Sequence, residues 1–408
     1  IELTAAEFGV TAGKIAIVIG LAAIIGMCLM ESGAADKVVR RFLAAFGEKR
    51  AGLAICLSSY ILSIPIFFDT FFMLLLPLAQ ALALRTGRDY VLYVLAICCG
   101  GAVTHSLIAP HPGPLAMAEA LHLDLGLTVW VGLVIGLFPV LGSWQVAKWI
   151  NRRYPVPLRP TTSGSLEELR QLAERPENEL PSFVLSILPV ILPIALISAA
   201  STCAAFPAAR EAWPVAYGVL EFLGNRNMAL LIGAALALGL LVRQRGFGAS
   251  KVQELMGPPL SVAAVVILIT SAGGAFGLML KNAGVGVAVQ SLVAGREINL
   301  IWLAWLLAAV IRVAQGSATV AMLTTSAMVY PMMGEGLPFH PVYVFVAIGF
   351  GAMICSWMND SGFWVISKLS GFTERETLRS WTVIATVNSV LGVLVCWVAS
   401  SLLPFPAG

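Results

Sequence analysis

The chain has 408 residues, of which 59% are hydrophobic and only 12% are charged, and its formal net charge is +3. Soluble globular proteins carry about twice that share of charged residues, so the composition excludes an ordinary soluble protein. The small, dispersed positive charge gives no indication of nucleic-acid binding. The composition and the mean hydropathy of +0.89 predict an all-α polytopic membrane protein surrounded by a lipid bilayer.

Apolar runs of roughly 18 or more residues, the length that crosses a bilayer, recur along the chain. They lie at 12–29, 89–109, 126–147, 183–206, 228–242, 259–280, 339–357 and 381–403. Most of the seven cysteines lie inside apolar segments and show neither disulfide nor metal-ligand spacing, so we interpret them as small buried hydrophobic residues. No metal and no other cofactor is predicted.

One long polar segment, 151–181, divides the chain into a first half, 1–150, and a second half, 182–408. Lysine and arginine residues cluster at three places, 37–50, 148–159 and 243–251. The positive-inside rule assigns the cytoplasmic side to all three clusters. The polar segment that joins the halves is therefore predicted to be cytoplasmic.

Polar and helix-breaking residues interrupt the apolar sequence twice in the first half, around 65–70 and at 104–114. Proline has no N–H to donate and clashes with the preceding helical turn, so a helix entering at Tyr93 must open near Pro110. At membrane depth, open backbone is tolerated only where protein buries it or where it lines a wet cavity. The break at 104–114 is therefore interpreted as part of a binding site.

The second half has corresponding breaks around 315–319 and 358–362. The halves also resemble each other upstream of these breaks, where residues 26–33 match residues 277–284. Interrupted hydrophobic segments at matching positions of two halves are a pointer to the binding site of a transporter. The sequence thus predicts a repeat of two halves with discontinuous transmembrane helices.

Several titratable residues lie in or beside the breaks. A carboxylate at Asp69, between aromatic residues, costs about 2.5–3.5 kcal/mol on insertion scales; it either caps a half-helix that starts at Thr70 or takes up a proton. His105 and His111 are six residues apart and would not face each other on a straight helix, and no further ligand completes a metal site. We interpret them as hydrogen-bonding or proton-accepting groups, with a purely structural role as the alternative. Arg312 is either the counter-charge for an anion or the partner of Asp360.

The breaks together offer hydroxyls, amides, carboxylates and histidines but few cations. Such a lining suits a small hydroxylated ligand that is held by many neutral hydrogen bonds and by half-helix N-termini. It does not suit an alkali-metal pore, where rings of repeated carbonyls or like charges are expected.

The motifs at these breaks are similar to those of the gluconate permease family. They are Gly47-Glu48-Lys49-Arg50, Phe67-Phe68-Asp69-Thr70, Val103-Thr104-His105-Ser106 with Pro110-His111-Pro112-Gly113-Pro114, Gly316-Ser317-Ala318-Thr319 and Asn359-Asp360-Ser361-Gly362-Phe363-Trp364. The resemblance implies an inverted repeat with re-entrant hairpins, a scaffold domain and a transport domain, and a homodimer that works as an elevator in the inner membrane. Family members usually begin with one or two further helices, which are absent from this sequence.

The resemblance also implies uptake of gluconate or a related sugar acid together with protons. Moving one negative charge inward against about 100 mV costs about 2.3 kcal/mol, and a proton that travels with the anion cancels this cost. Proton coupling is assigned to Asp69, His105, His111 and Asp360. Substrate binding is assigned to Thr70, Thr104, His105, Ser106, His111, Gly316, Ser317, Thr319, Asn359 and Ser361.

Two alternatives stay open at this point. One is a sodium- or proton-coupled carrier of dicarboxylates or citrate from the same wider group, which would want different hairpin tips from Phe-Asp-Thr and Gly-Ser-Ala-Thr. The other is a membrane-embedded enzyme that uses His105, His111 and Asp360. The sequence favours a transporter without catalytic residues.

Overall fold

The structure, a computed structural model, describes residues 2–47, 50–159, 179–204, 213–284, 299–333 and 337–404. These residues form sixteen α-helices. In chain order they are α1 (Glu2–Glu31), α2 (Ala34–Phe46), α3 (Ala51–Leu62), α4 (Phe68–Thr86), α5 (Tyr90–Leu107), α6 (Pro112–Ala120), α7 (Leu125–Arg153), α8 (Phe183–Ala204), α9 (Pro214–Gly224), α10 (Arg226–Arg245), α11 (Ala249–Asn282), α12 (Leu300–Gln315), α13 (Ala318–Val329), α14 (Val342–Gly351), α15 (Ser361–Ser370) and α16 (Glu374–Leu402).

Seven helical segments of the described chain are long and apolar enough to cross a bilayer, and they coincide with seven of the eight predicted runs. The predicted all-α polytopic membrane fold is therefore confirmed. The eighth run, 339–357, was predicted too long, since α14 ends at Gly351. Beyond it the backbone turns, with Cys355 at a φ of 47°, and side chains of Ser356 and Asp360 bond to each other and to their neighbours.

The centre of the molecule is formed by α5 and α14, which contact each other. All ten residues of α14 are buried, and in α5 only Leu92 and His105 are not fully buried. A helix that is apolar on every side has to be surrounded by other helices or by lipid. Here α3, α4 and α7 pack around α5, while α12, α13 and α16 pack around α14.

The two central helices belong to sets with the same order of elements. In each set a helical hairpin, α3–α4 or α12–α13, precedes a helix that is interrupted and resumes, α5–α6 or α14–α15, and a long helix follows. The chain turns at 63–67, 108–111, 316–317 and 352–360, close to the four predicted breaks. The inverted relation of the halves stays a prediction, as do the boundaries of the halves. Residues 160–178 of the predicted cytoplasmic segment lie outside the described residues.

A second group of helices lies beside these sets. We call it the α1 layer; α1 packs against α10 and α11, and α8 packs against α10. The layer touches the two sets through α8 on α7 and through α11 on α6 and α13. The α1 layer thus contacts α6 and α13, which are the half-helices that begin after the breaks at 108–111 and 316–317.

Close packing of α3 on α5 depends on Gly100. A Cβ atom at this position would lie 2.5 Å from the Cys56 carbonyl oxygen and 2.6 Å from the Tyr60 backbone nitrogen. We expect Gly100→Ala to lower the free energy of unfolding by about 1–3 kcal/mol, because the two backbones have to move apart. Gly239→Ala on α10, with nothing within 4 Å of the new methyl group, serves as the control. Thermal unfolding of both variants in one detergent measures the difference, and equal melting temperatures would contradict close α3–α5 packing.

Candidate functional site

Segments flanking all four breaks face one cavity of about 440 Å³. Its wall contains the first residues of four half-helices, namely Phe68 of α4, Pro112 of α6, Ala318 of α13 and Ser361 of α15. The volume lies within the range of about 300–1,000 Å³ that small-molecule sites occupy. Residues from both halves of the chain therefore line a single site.

Most of the predicted site residues with described side chains lie on the wall of this cavity. They are His105, Ser106, Gly316, Ser317, Thr319, Asn359, Asp360 and Ser361. The side chains of Asp69 and Thr70 lie outside the described part of the structure. Their backbone belongs to the first turn of α4, which begins at Phe68 with Phe67 in the capping position. The half-helix thus starts before Asp69, not at Thr70 as the capping alternative assumed.

Two predicted site residues, Thr104 and His111, are buried behind the wall. The Thr104 hydroxyl lies 3.0 Å from the carbonyl oxygen of Tyr60 in α3 and donates to the helix backbone. His111 Nε2 lies 2.8 Å from the Ser63 carbonyl oxygen. Because a carbonyl oxygen only accepts, Nε2 carries the hydrogen. Both side chains connect the α5–α6 break to the α3–α4 hairpin.

The two histidines meet, contrary to the expectation for a straight helix. Their ring centroids are 5.0 Å apart in an edge-to-face arrangement, because the chain leaves the helix after Leu107 and resumes at Pro112. Nδ1 of each ring is buried without a hydrogen-bond partner among the described residues. His105 lies on the cavity wall and His111 lies behind it. Together the two rings extend from the cavity to the α3–α4 hairpin.

Arg312 and Asp360 form an ion pair in the wall, as one of the two interpretations of Arg312 expected. The same Asp360 oxygen accepts from the Ser356 hydroxyl. Its other oxygen accepts from the Gly362 backbone N–H at 3.2 Å and so caps α15. Arg312 also donates to the Gly316 carbonyl oxygen. The ion pair therefore ties the tip of the α12–α13 hairpin to the α14–α15 break.

The sequence analysis missed an aromatic part of the wall. Trp381, at the beginning of a predicted span, donates from Nε1 to the Ser356 hydroxyl at 2.6 Å and stacks on Phe68 with ring centroids 5.7 Å apart. Val262 and Val266 of α11 also contribute. Only the position of Trp381 near the start of an apolar run was visible beforehand, and nothing in the sequence linked it to the breaks.

Among the four half-helix N-termini at the cavity, the start of α13 is suited to an anion. At α13, intrahelical bonding starts with the Ala321 N–H, which donates to Ser317 O at 3.0 Å, so the N–H groups of Ala318 and Thr319 have no partner within the helix. Such an end carries a partial positive charge. The α15 end already has a carboxylate cap in Asp360. At α6, prolines at 112 and 114 remove two of the first N–H groups.

This fold and cavity are those of a multi-pass membrane carrier. A model of the GntP family permeases matches residues 2–402. The gluconate permease of Pseudomonas aeruginosa is 33% identical over 391 residues, which cover 95% of this chain and 84% of that protein. The Gnt-II system L-idonate transporter of Escherichia coli is 30% identical over 387 residues, which cover 95% of this chain and 85% of that protein. The chain belongs to the GntP permease family, and it is a transporter and not an enzyme.

The fold has a counterpart among solved structures. The YdaH transporter of Alcanivorax borkumensis superposes with a TM-score of 0.63 and covers 98% of this chain and 88% of its own. Sequence identity is only 12%, so the likeness concerns the fold alone. The resemblance to the gluconate permease family is confirmed by the family match.

The Trp381 contact allows a test of how the irregular stretch after α14 is held. We expect Trp381→Phe to lower the free energy of unfolding by about 1 kcal/mol, because the hydrogen bond to Ser356 is lost while the aromatic stack on Phe68 is kept. Trp149→Phe is the control, since Trp149 is 58% exposed. Thermal unfolding in detergent compares the two variants, and an equal effect of both would show that the Ser356 contact contributes nothing.

Proposed function

We propose that this protein imports gluconate or a related sugar acid by proton symport across the inner membrane. The observation that carries the proposal is the cavity in which four half-helix starts and a set of neutral hydrogen-bonding side chains converge. The names of the two relatives, gluconate and L-idonate carriers, support an acid with many hydroxyls. Helical spans suit the inner membrane, since spanning proteins of the outer membrane are built from strands.

The wall has suitable groups for both ends of such a substrate. Hydroxyl and amide groups of Ser106, Ser317, Thr319, Asn359 and Ser361, together with Thr70, bind the substrate hydroxyls, and His105 and the Gly316 backbone complete the contacts. The free N–H groups at the start of α13 attract its negative charge. Thr104 and His111, being behind the wall, support the site rather than contact the substrate.

We assign proton coupling to Asp69, His105 and His111, which all belong to the first half of the chain. Asp69 lies in the first turn of α4. The first residue of that turn, Phe68, contacts His105 with ring centroids 6.3 Å apart, and the contact of His105 with His111 offers a relay. Asp360 is engaged by Arg312, Ser356 and the Gly362 N–H. This leaves Asp69 as the group that takes up the proton when the sugar acid binds.

We propose that alternating access uses the two groups of helices as a transport domain and a scaffold. The hairpins and interrupted helices share one cavity and pack around α5 and α14, so they are suited to move as one transport domain. The α1 layer, which supplies Val262 and Val266 to the wall, serves as the scaffold. An elevator motion of one group past the other, in a homodimer, would carry the substrate with its binding groups.

The coupling assignment predicts the behaviour of Asp69→Asn in proteoliposomes. With a proton gradient imposed, we expect the variant to lose accumulation of gluconate, because the group that carries the proton is gone, while gluconate exchange by counterflow continues. Asp36→Asn is the matched control, since Asp36 pairs with Arg40 on α2 at 2.9 Å, outside the cavity wall.

Normal accumulation by Asp69→Asn would show that Asp69 does not carry the proton. The same preparation separates the function from that of a dicarboxylate or citrate carrier. Replacement of sodium by choline should leave gluconate uptake unchanged, and citrate should not compete. Sodium-dependent uptake of citrate without uptake of gluconate would overturn the proposed function.

The hydrogen-bonding wall predicts a specific loss of affinity. We expect Thr319→Val to raise the KM for gluconate about fivefold, because one hydrogen bond to the substrate contributes about 1 kcal/mol. The control is Thr202→Val on α8, whose hydroxyl donates to the Ser198 carbonyl oxygen at 2.8 Å within the same helix. Uptake rates over a range of gluconate concentrations give both KM values. An unchanged KM in Thr319→Val would remove Thr319 from the substrate contacts.

A further inference from the structure

The only two charged side chains among the described wall residues are Arg312 and Asp360. Arg312 is 96% buried, being 4% exposed. Its Nη1 donates to the Gly316 carbonyl oxygen and its Nη2 donates to Asp360 Oδ2. Its Nε–H has no hydrogen-bond partner among the described residues. A buried guanidinium in the wall of the site therefore has an unused Nε–H donor.

The unused donor lies on the edge of the guanidinium that best fits a carboxylate. Nε and one Nη point in parallel and match the two oxygens of a carboxylate. Asp360 does not use this fork, since Oδ2 accepts from Nη2 and from Ser356 while Oδ1 accepts from the Gly362 N–H. Leaving a buried donor without a partner is costly, and a carboxylate ligand on both Nε and Nη2 would remove that cost.

We propose that Arg312 is the residue that binds the carboxylate of the substrate, and that Asp360 holds Arg312 in the empty site as an internal substitute for that carboxylate. This inference rests on the proposed function and names the anchor of its substrate. When the acid binds, its carboxylate takes Nε and Nη2. Asp360 keeps Ser356 and the Gly362 N–H at the positive end of α15, so its charge stays hydrogen-bonded.

Replacement of Asp360 by the substrate carboxylate on Arg312 makes the site selective for acids. It also links binding of the acid to uptake of a proton. A neutral polyol of the same length cannot replace Asp360 on Arg312, so the site selects the acid over the alcohol. The charges of Arg312 and Asp360 cancel each other in their ion pair. The bound acid adds one negative charge, and the proton taken up at Asp69 offsets it, so the net charge of the site returns to its value before binding as the site crosses the bilayer.

The experiment measures binding of gluconate and of its neutral analogue glucitol to purified protein in nanodiscs by calorimetry. In Asp360→Asn the competing charge is removed, while asparagine still caps α15. We expect this variant to bind gluconate about tenfold more tightly than the wild type does. A residue with a merely structural role would not produce tighter binding when it is replaced.

The double variant Arg312→Gln with Asp360→Asn leaves no unpaired charge in the wall. It therefore still tests the inference if a single variant does not fold. We expect it to bind gluconate about 100-fold more weakly than the wild type, down to the level of glucitol. Asp124→Asn is the control for the cap, because Asp124 caps α7 by accepting from the Leu127 N–H at 2.7 Å and lies outside the wall.

Weaker gluconate binding by a folded Asp360→Asn protein would overturn the inference. So would a double variant that still prefers gluconate to glucitol. In both cases the wild type binds gluconate and the proposed function stands. A wild-type protein that binds no gluconate would instead overturn the proposed function itself.

Discussion

The structure depends on the requirement that every backbone polar group at membrane depth finds a partner. Four interruptions of apolar helices would be prohibitive if they faced lipid. Here the interrupted ends converge on one cavity, and α5 and α14 are enclosed by the helices of their own sets. The same requirement that forces the breaks together also gathers helix N-termini and polar side chains at one place. A binding site is thus a direct consequence of how the broken helices are accommodated.

The location of the breaks could be predicted from the sequence, because prolines, glycines and polar side chains inside hydrocarbon have few other uses. Ser317, for example, lies in the break predicted around 315–319, and it caps α13 by accepting from the Val320 N–H at 3.3 Å. The end of α14 was placed six residues too late, because the apolar residues up to 357 carry no local signal that the helix stops.

Contacts between distant elements could not be predicted in the same way. The meeting of His105 with His111 depends on the path of the chain between Leu107 and Pro112, which residue spacing does not define. The direction of the Thr104 hydroxyl depends on where α3 packs, and the position of Trp381 over Phe68 depends on α16 reaching the α3–α4 hairpin. Such facts come from tertiary packing of apolar helices, whose surfaces look alike in sequence.

The two sets of helices share a backbone plan but differ in chemistry at corresponding positions. His111 occupies the position before α6 that Asp360 occupies before α15, and Phe67 precedes α4 as Ser317 precedes α13. The first set therefore brings His105 and the rings of Phe67 and Phe68 to the cavity, while the second brings the Arg312 ion pair and the hydroxyls of Ser317, Thr319 and Ser361. Under the proposals above, the second set binds the anion and the first set takes up the proton. Because both sets face one cavity, the proposed proton uptake and the proposed anion binding would each change the electrostatic field felt by the other, and the proposed coupling rests on this interaction.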